Sequence, residues 1–144
     1  MSTTITAPAR VLASRPVWFA CAAAGLAASA ATELYGLAAR AAGVPMQAGG
    51  VGAPAAEPIT VGMFAMGTLI CTFWGTVLAL VLARFASRPS RVFVRAAVPL
   101  AVLSLVGPVA AGDTAVSTKV MLCVAHVLAA AIVIPVVARR LARS

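Results

Sequence analysis

Four long apolar runs, separated by short polar or Gly/Pro-rich segments, constrain the fold of this chain more than any other feature. An α-helix rises about 1.5 Å per residue and the hydrocarbon core of a bilayer is about 30 Å thick, so roughly 20 apolar residues span it. The runs predict helices over about 16–39, 59–85, 92–111 and 115–137. None alternates with the period of two that is typical of a membrane strand. The predicted fold class is therefore all-α, an integral membrane four-helix bundle.

The composition argues against a soluble domain. Hydrophobic residues make up 62% of the chain and charged residues only 10%, whereas about a quarter of the residues of a soluble domain are charged. A soluble globule of 144 residues would need more charged side chains than this on its surface. The lipid bilayer is therefore the first predicted partner. The net charge is +8, but the arginines cluster at the ends of the apolar runs. This placement is typical of oriented membrane spans rather than of a nucleic-acid interface, so no nucleic acid is expected.

The basic residues predict the orientation. With four spans, every basic residue except Arg40 and Lys119 falls on the side that carries both chain termini. The positive-inside rule then predicts that both termini are cytoplasmic. The chain divides into a cytoplasmic N-terminal segment over 1–15, a single transmembrane domain over 16–138, and a basic cytoplasmic tail over 139–144.

The connection between the first two spans is a Gly/Pro-rich loop over 43–58, and it is predicted to be extracytoplasmic. In an alternative membrane topology, the first span is a cleaved signal peptide. Arg10 and Arg15 precede an apolar stretch, and the small residues at 28–30 resemble a cleavage site. The apolar run continues to residue 39, which is long enough to span a membrane and favours an uncleaved first helix.

Ionisable residues inside a span are costly and are functional hypotheses by default. Glu33, Lys119, Cys123 and His126 form the candidate intramembrane polar site, and the last three share one helix face at spacings of four and three. Lys119 lies near the outer end, where it can extend to the interface or pair with Glu33 or Asp113. Cys123 is interpreted as small packing. His126 lies near the midplane, either bonded to a neighbouring helix or acting as a protonatable relay.

Rows of small residues in the first two spans predict a helix-packing seam, because they let two backbones approach closely. The row in the first span consists of Gly25, Ser29, Thr32 and Gly36. The row in the second span consists of Gly67, Cys71 and Gly75. Trp74 is expected to fill the interior of the bundle.

No enzyme signature is present: the chain lacks paired carboxylates, a Gly-rich phosphate loop, and the zinc-protease and serine-hydrolase motifs. No enzymatic activity, cofactor or metal is predicted. One alternative is a soft-metal or redox site built from Cys123, His126, Cys71 and Met66, although nothing in their spacing requires it.

Two segments carry a resemblance to a known family. ELYGLAARAAGVPM over 33–46 and KVMLCVAHVLAAAIVIPVVARRLA over 119–142 resemble small four-span membrane proteins of actinobacteria that are known only as a domain of unknown function. The most recognisable piece is His126 followed by small residues and then Ile134-Pro135. The resemblance covers nearly the whole chain and implies four helices in a bacterial plasma membrane. It implies no activity, substrate or catalytic residue.

These observations favour a non-enzymatic accessory, scaffold or envelope-associated bundle. Its expected partner is a second copy of itself or an unidentified membrane protein. The alternative is a small transporter or proton-coupled permease, in which Glu33 and His126 titrate as a pair and Lys119 is the counter-charge. The two interpretations differ in whether Glu33 and His126 meet across the first and last spans.

Overall fold

The computed structural model describes residues 16–143, and most of these residues are helical. The elements, in chain order, are α1 (Val17–Ala41), β1 (Gln47–Ala48), β2 (Glu57–Pro58), α2 (Met63–Phe85), α3 (Pro89–Ser104), α4 (Val106–Val109) and α5 (Val116–Leu141). α1, α2, the combined α3–α4 segment and α5 form 4 helices that are long and apolar enough to cross a membrane. The predicted all-α, four-helix membrane fold is confirmed. The predicted N-terminal segment over 1–15 lies outside the described residues.

The third span is interrupted after Ser104, and a proline explains the break. Pro108 has no N–H, so the carbonyl of Ser104 loses the donor that a continuous helix would supply four residues later. The chain instead tightens here: the Leu105 N–H donates to the Val102 oxygen at 3.1 Å and the Ser104 hydroxyl donates to the Ala101 oxygen at 2.6 Å. The third span thus runs from Pro89 to Val109, and its helix is interrupted by a turn at Leu105.

α1 packs extensively against α2 and α5, and α3 packs chiefly against α5. The apolar core consists of two clusters, one at each end of the bundle. The first lies where α1 begins, α2 joins α3 and α5 ends; its buried members are Cys21, Ala79, Phe93, Val137 and Leu141. We call this the basic end, because arginines of α2, α3 and α5 and of their connections lie there: Arg84, Arg88, Arg91, Arg95, Arg139, Arg140 and Arg143.

The second cluster lies at the opposite end, where the chain passes from α1 to α2 and from α4 to α5. Met46 and Ile59 of the α1–α2 connection pack there against Met121 of α5. The chain segments 42–62 and 110–115 meet over this cluster. We call these two segments together the end cap, and this end of the bundle the capped end.

Candidate functional site

The α1–α2 connection is an ordered part of the end cap. Its two short strands pair antiparallel, with Gln47 opposite Pro58 and Ala48 opposite Glu57. The Ile59 N–H then donates to the Met46 oxygen at 2.8 Å, which brings the two buried anchors of this segment side by side. Its Gly/Pro composition predicts a loop, and the structure contains one. The composition does not predict the pairing of the two strands or the burial of Met46 and Ile59.

Two glycines join the two segments of the end cap backbone to backbone. A Cβ on Gly49 would lie 2.4 Å from the Gly112 oxygen, and a Cβ on Gly112 would lie 2.4 Å from the Ala53 oxygen. The Gly112 N–H donates to the Gly50 oxygen at 3.0 Å. Any other residue would collide with a neighbouring backbone here, so the close approach requires glycine on both sides.

Polar side chains around the end cap bond to its backbone. Arg40 Nη2 donates to the Ile59 oxygen at 2.7 Å, and the Thr118 hydroxyl donates to the Pro45 oxygen. The Gly49 N–H donates to Thr114 Oγ1 at 2.9 Å, and the Ala56 N–H donates to Asp113 Oδ2 at 3.2 Å. These polar groups thus hold the connection 42–62 onto α1, α5 and the α4–α5 turn.

Glu33 caps the first turn of α2 from the neighbouring helix. Its Oε1 accepts a hydrogen bond from the Gly62 N–H at 2.7 Å, and its Oε2 accepts one from the Ala65 N–H at 3.0 Å. The first N–H groups of a helix lack partners within it, and the helix dipole favours a negative charge at this position. The only acid inside a span therefore stabilises the start of α2.

Lys119 and His126 also bond to backbone. Lys119 Nζ donates to the oxygen of Val109, the last residue of α4, at 3.3 Å, which suits a cation at a helix C-terminus. His126 Nδ1 donates to the Leu122 oxygen of its own helix at 2.8 Å rather than to another helix. Within residues 16–143, no hydrogen bond or ion pair joins any two of Glu33, Lys119 and His126.

Cys123 is half-buried on α5, and Cys71 is exposed on α2. No group of three or more His, Cys, Asp or Glu side chains that could hold a metal ion occurs among the described residues. The residues of the alternative soft-metal site are therefore not gathered into such a cluster.

The small-residue row of α1 lies at a tight contact with α2. Gly25, Ser29, Thr32 and Gly36 are all buried. A Cβ on Gly25 would lie 2.7 Å from Cγ2 of Thr72, and one on Gly36 would lie 2.8 Å from the Phe64 ring. Between these two contacts the hydroxyls of Thr32 and Thr68 are 2.9 Å apart and hydrogen-bonded.

The α2 side of this contact differs from the prediction. Gly67 and Cys71 are exposed, and no atom lies within 4 Å of a Cβ built on Gly67 or Gly75. Thr72 donates to the Thr68 oxygen at 2.7 Å and Thr76 to the Thr72 oxygen at 2.8 Å, both within α2. It is this neighbouring threonine face that meets α1, with Thr72 against Gly25 and the Thr68 hydroxyl bonded to that of Thr32. Trp74, expected inside the bundle, is 65% exposed for the same reason.

An open groove of about 350 Å³ lies between the third span and α5. Its walls are apolar except for the imidazole of His126. Its lining residues on the two sides are Val98, Ala101, Val102, Leu105, His126, Val127, Ala130, Ala131, Ile134 and Pro135. We call this the α3–α5 groove.

The four spans and the ordered end cap define the class of this chain as a small multi-span helical membrane protein. A model of a family of unknown function, DUF6069, matches residues 12–143, and the chain belongs to that family. No curated protein and no solved structure matches it.

Proposed function

We propose that this protein is a non-enzymatic accessory or scaffold bundle of a bacterial plasma membrane, which presents its end cap as a preformed surface to a membrane-protein partner. The supporting observation is that polar side chains of the capped end are bonded to backbone and hold the end cap in place. A surface that is ordered before binding loses less conformational entropy when a partner binds it. The partner is a second copy of this chain or another membrane protein.

The same observation disfavours the transporter alternative. A proton relay needs titratable groups that can exchange partners along a hydrated path. Here Glu33 is held by two N–H groups at the start of α2, and His126 donates to its own helix. The groove that His126 lines is otherwise apolar.

The proposed orientation places the basic end in the cytoplasm and the end cap outside. It is supported by the distribution of charge, since the arginines of α2, α3 and α5 and their connections lie at one end. The three acidic side chains of the chain, Glu33, Glu57 and Asp113, all lie at the other. The positive-inside rule predicts this arrangement. The resemblance described above supports an actinobacterial membrane.

The surface of the proposed interface combines exposed apolar side chains with two exposed acidic ones, Glu57 and Asp113. Val51, which is 71% exposed, lies at the bridge between the two segments of the end cap, opposite Ala111. Val61 and Val116 are also exposed on the same end. Apolar side chains on a rigid frame suit a protein contact better than a charged ligand.

A cysteine-directed crosslinking experiment tests both the interface and the orientation. Val51→Cys, in a chain whose Cys21, Cys71 and Cys123 are replaced by alanine, is treated in intact cells with a membrane-impermeant photoreactive maleimide. We expect labelling and, after illumination, one discrete adduct, at twice the chain mass for a homo-oligomer or at a different mass for another protein.

Arg88→Cys in the same background is the control from the basic end, and we expect no labelling there. Labelling of Arg88→Cys in place of Val51→Cys would contradict the orientation, and labelling of Val51→Cys without an adduct would contradict the interface.

A flux measurement tests the transporter alternative directly. Proteoliposomes that contain a pH-sensitive dye are given a pH gradient, and its decay is compared with that of empty liposomes. We expect wild-type protein, Glu33→Gln and His126→Gln all to decay at the empty-liposome rate. A faster decay in the wild type that either substitution abolishes, with the helical content unchanged, would overturn the scaffold proposal.

A further inference from the structure

We propose that the α3–α5 groove binds one acyl chain of an anionic phospholipid, whose phosphate is held by arginines at the basic end. The proposal rests on the shape of the groove, the direction in which its lining rows run, and the charge found at one end of it. It does not depend on the function of the end cap.

Small side chains give the groove its depth. Ala101 of α3 and Ala130 and Ala131 of α5 form part of its lining, and branched side chains such as Val98 and Ile134 complete it. In a bilayer, such a slot is filled by hydrocarbon rather than water, because its walls offer almost no polar partners. A single extended acyl chain has the matching shape and chemistry.

The rows that line the groove lead to arginines. Val127, Ala131 and Pro135 follow one another at a spacing of four on α5, and Arg139 is the next residue in that row. On α3, Arg95 lies one turn before Val98 on the same side of the helix.

A second arginine, Arg91, lies one turn before Arg95 on α3. Arg91, Arg95 and Arg139 are exposed. None of the three makes a hydrogen bond to the described part of the chain, so their guanidinium groups are available to a ligand.

The charge at this end selects an anionic headgroup. None of the acidic side chains lies near these arginines, since all of them are at the capped end. Guanidinium groups bind phosphate oxygens in a bidentate geometry, and basic pockets between membrane helices on the cytoplasmic side favour anionic lipids. A partner helix would also fill the apolar slot, but only a ligand that carries an anionic group would in addition bind the arginines at its mouth.

The distance from the groove to the arginines also suits a lipid: the lining on α5 extends from His126 to Pro135, and Arg139 lies one turn further. The rise of α5 between His126 and Arg139 is about 20 Å, which is somewhat more than half of the roughly 30 Å hydrocarbon core. A phosphate at Arg139 therefore places an acyl chain along one leaflet, with its end near the imidazole of His126.

Native mass spectrometry of the purified protein, titrated with phosphatidylglycerol or phosphatidylcholine of the same acyl composition, tests this site. We expect one retained phosphatidylglycerol, bound roughly tenfold more tightly than phosphatidylcholine. Arg95→Gln with Arg139→Gln should remove that preference. Arg84→Gln with Arg88→Gln is the matched control, since Arg84 lies on α2 and Arg88 precedes the first residue of α3, and it should keep the preference.

A second variant separates the groove from general attraction to a basic surface. Ala131→Phe fills the groove from its exposed rim and leaves every arginine in place. We expect it to lose the retained phosphatidylglycerol, with helical content and melting temperature close to wild type. Unchanged lipid retention in this variant would overturn the groove as the site. Displacement of the lipid by glycerol phosphate alone, or a change of oligomeric mass instead of lipid retention, would overturn the assignment of an acyl chain as the occupant.

Discussion

Gly112→Ala is expected to lower the free energy of unfolding by about 2–4 kcal/mol and to release the end cap. The added Cβ would lie 2.4 Å from the Ala53 oxygen, and this neighbour is backbone, so no side-chain rotation relieves the collision. The two segments of the end cap must separate, and the hydrogen bond from Gly112 to Gly50 is lost with the bridge between Val51 and Ala111. The φ angle of Gly112 is not positive, so the effect comes from the contact rather than from backbone strain.

Thermal unfolding in detergent and amide hydrogen exchange measure this effect. The melting temperature should fall, and the protection of the Ile59 amide, which donates to Met46, should fall with it. Gly67→Ala is the matched control, because nothing lies within 4 Å of a Cβ at that position and alanine is the better helix former. Gly112→Ala with unchanged amide protection would show that the two segments are not held together by this contact.

Glu33→Ala is expected to lower the free energy of unfolding by about 2–4 kcal/mol, because it leaves two N–H groups at the start of α2 without an acceptor. Glu33→Gln should have a smaller effect in the same direction. Its amide keeps one oxygen for either Gly62 or Ala65, but its NH₂ group cannot accept, and the negative charge that favours a helix N-terminus is gone.

The order of melting temperatures checks this assignment. Glu57→Gln should match wild type, since Glu57 is exposed and its side chain makes no hydrogen bond within the described residues. Glu33→Gln should melt at a lower temperature, and Glu33→Ala at the lowest. If Glu33→Gln were as stable as wild type, the carboxylate would not be acting as a charged cap of α2.

The four spans could be predicted because helix length and apolarity are local properties, and each run of about 20 apolar residues carries its own signal. The face by which each span packs against its neighbours is harder to predict from the sequence. On α2, the row Gly67–Cys71–Gly75 and the row Thr68–Thr72–Thr76 have the same spacing, so periodicity cannot rank them. The threonine row packs against α1, where the Thr68 hydroxyl bonds to that of Thr32. The hydroxyls of Thr72 and Thr76 bond to carbonyls of α2 itself and do not select a face.

The end cap could not be predicted for a different reason. Gly49 and Gly112 each belong to a glycine-containing turn, and a local pattern predicts a turn at each place without relating the two. Their contact exists only once α1 and α5 have been brought together by the rest of the bundle. The same holds for Glu33, whose partners, Gly62 and Ala65, belong to the next helix. A costly charge inside a span makes Glu33 a candidate, but no local pattern predicts its bonds to the start of α2.

The division of the apolar core into two clusters has a consequence for how such a protein can diverge or be engineered. The cluster around Phe93 at the basic end holds α1, α2, α3 and α5 together without any residue of the end cap. The end cap adds its own anchors, Met46 and Ile59, to a separate cluster around Met121. The bundle is therefore expected to accept a foreign loop between α1 and α2, provided that these two anchors and the glycine contact are kept. The four spans would then form a constant frame for end caps of different sequence.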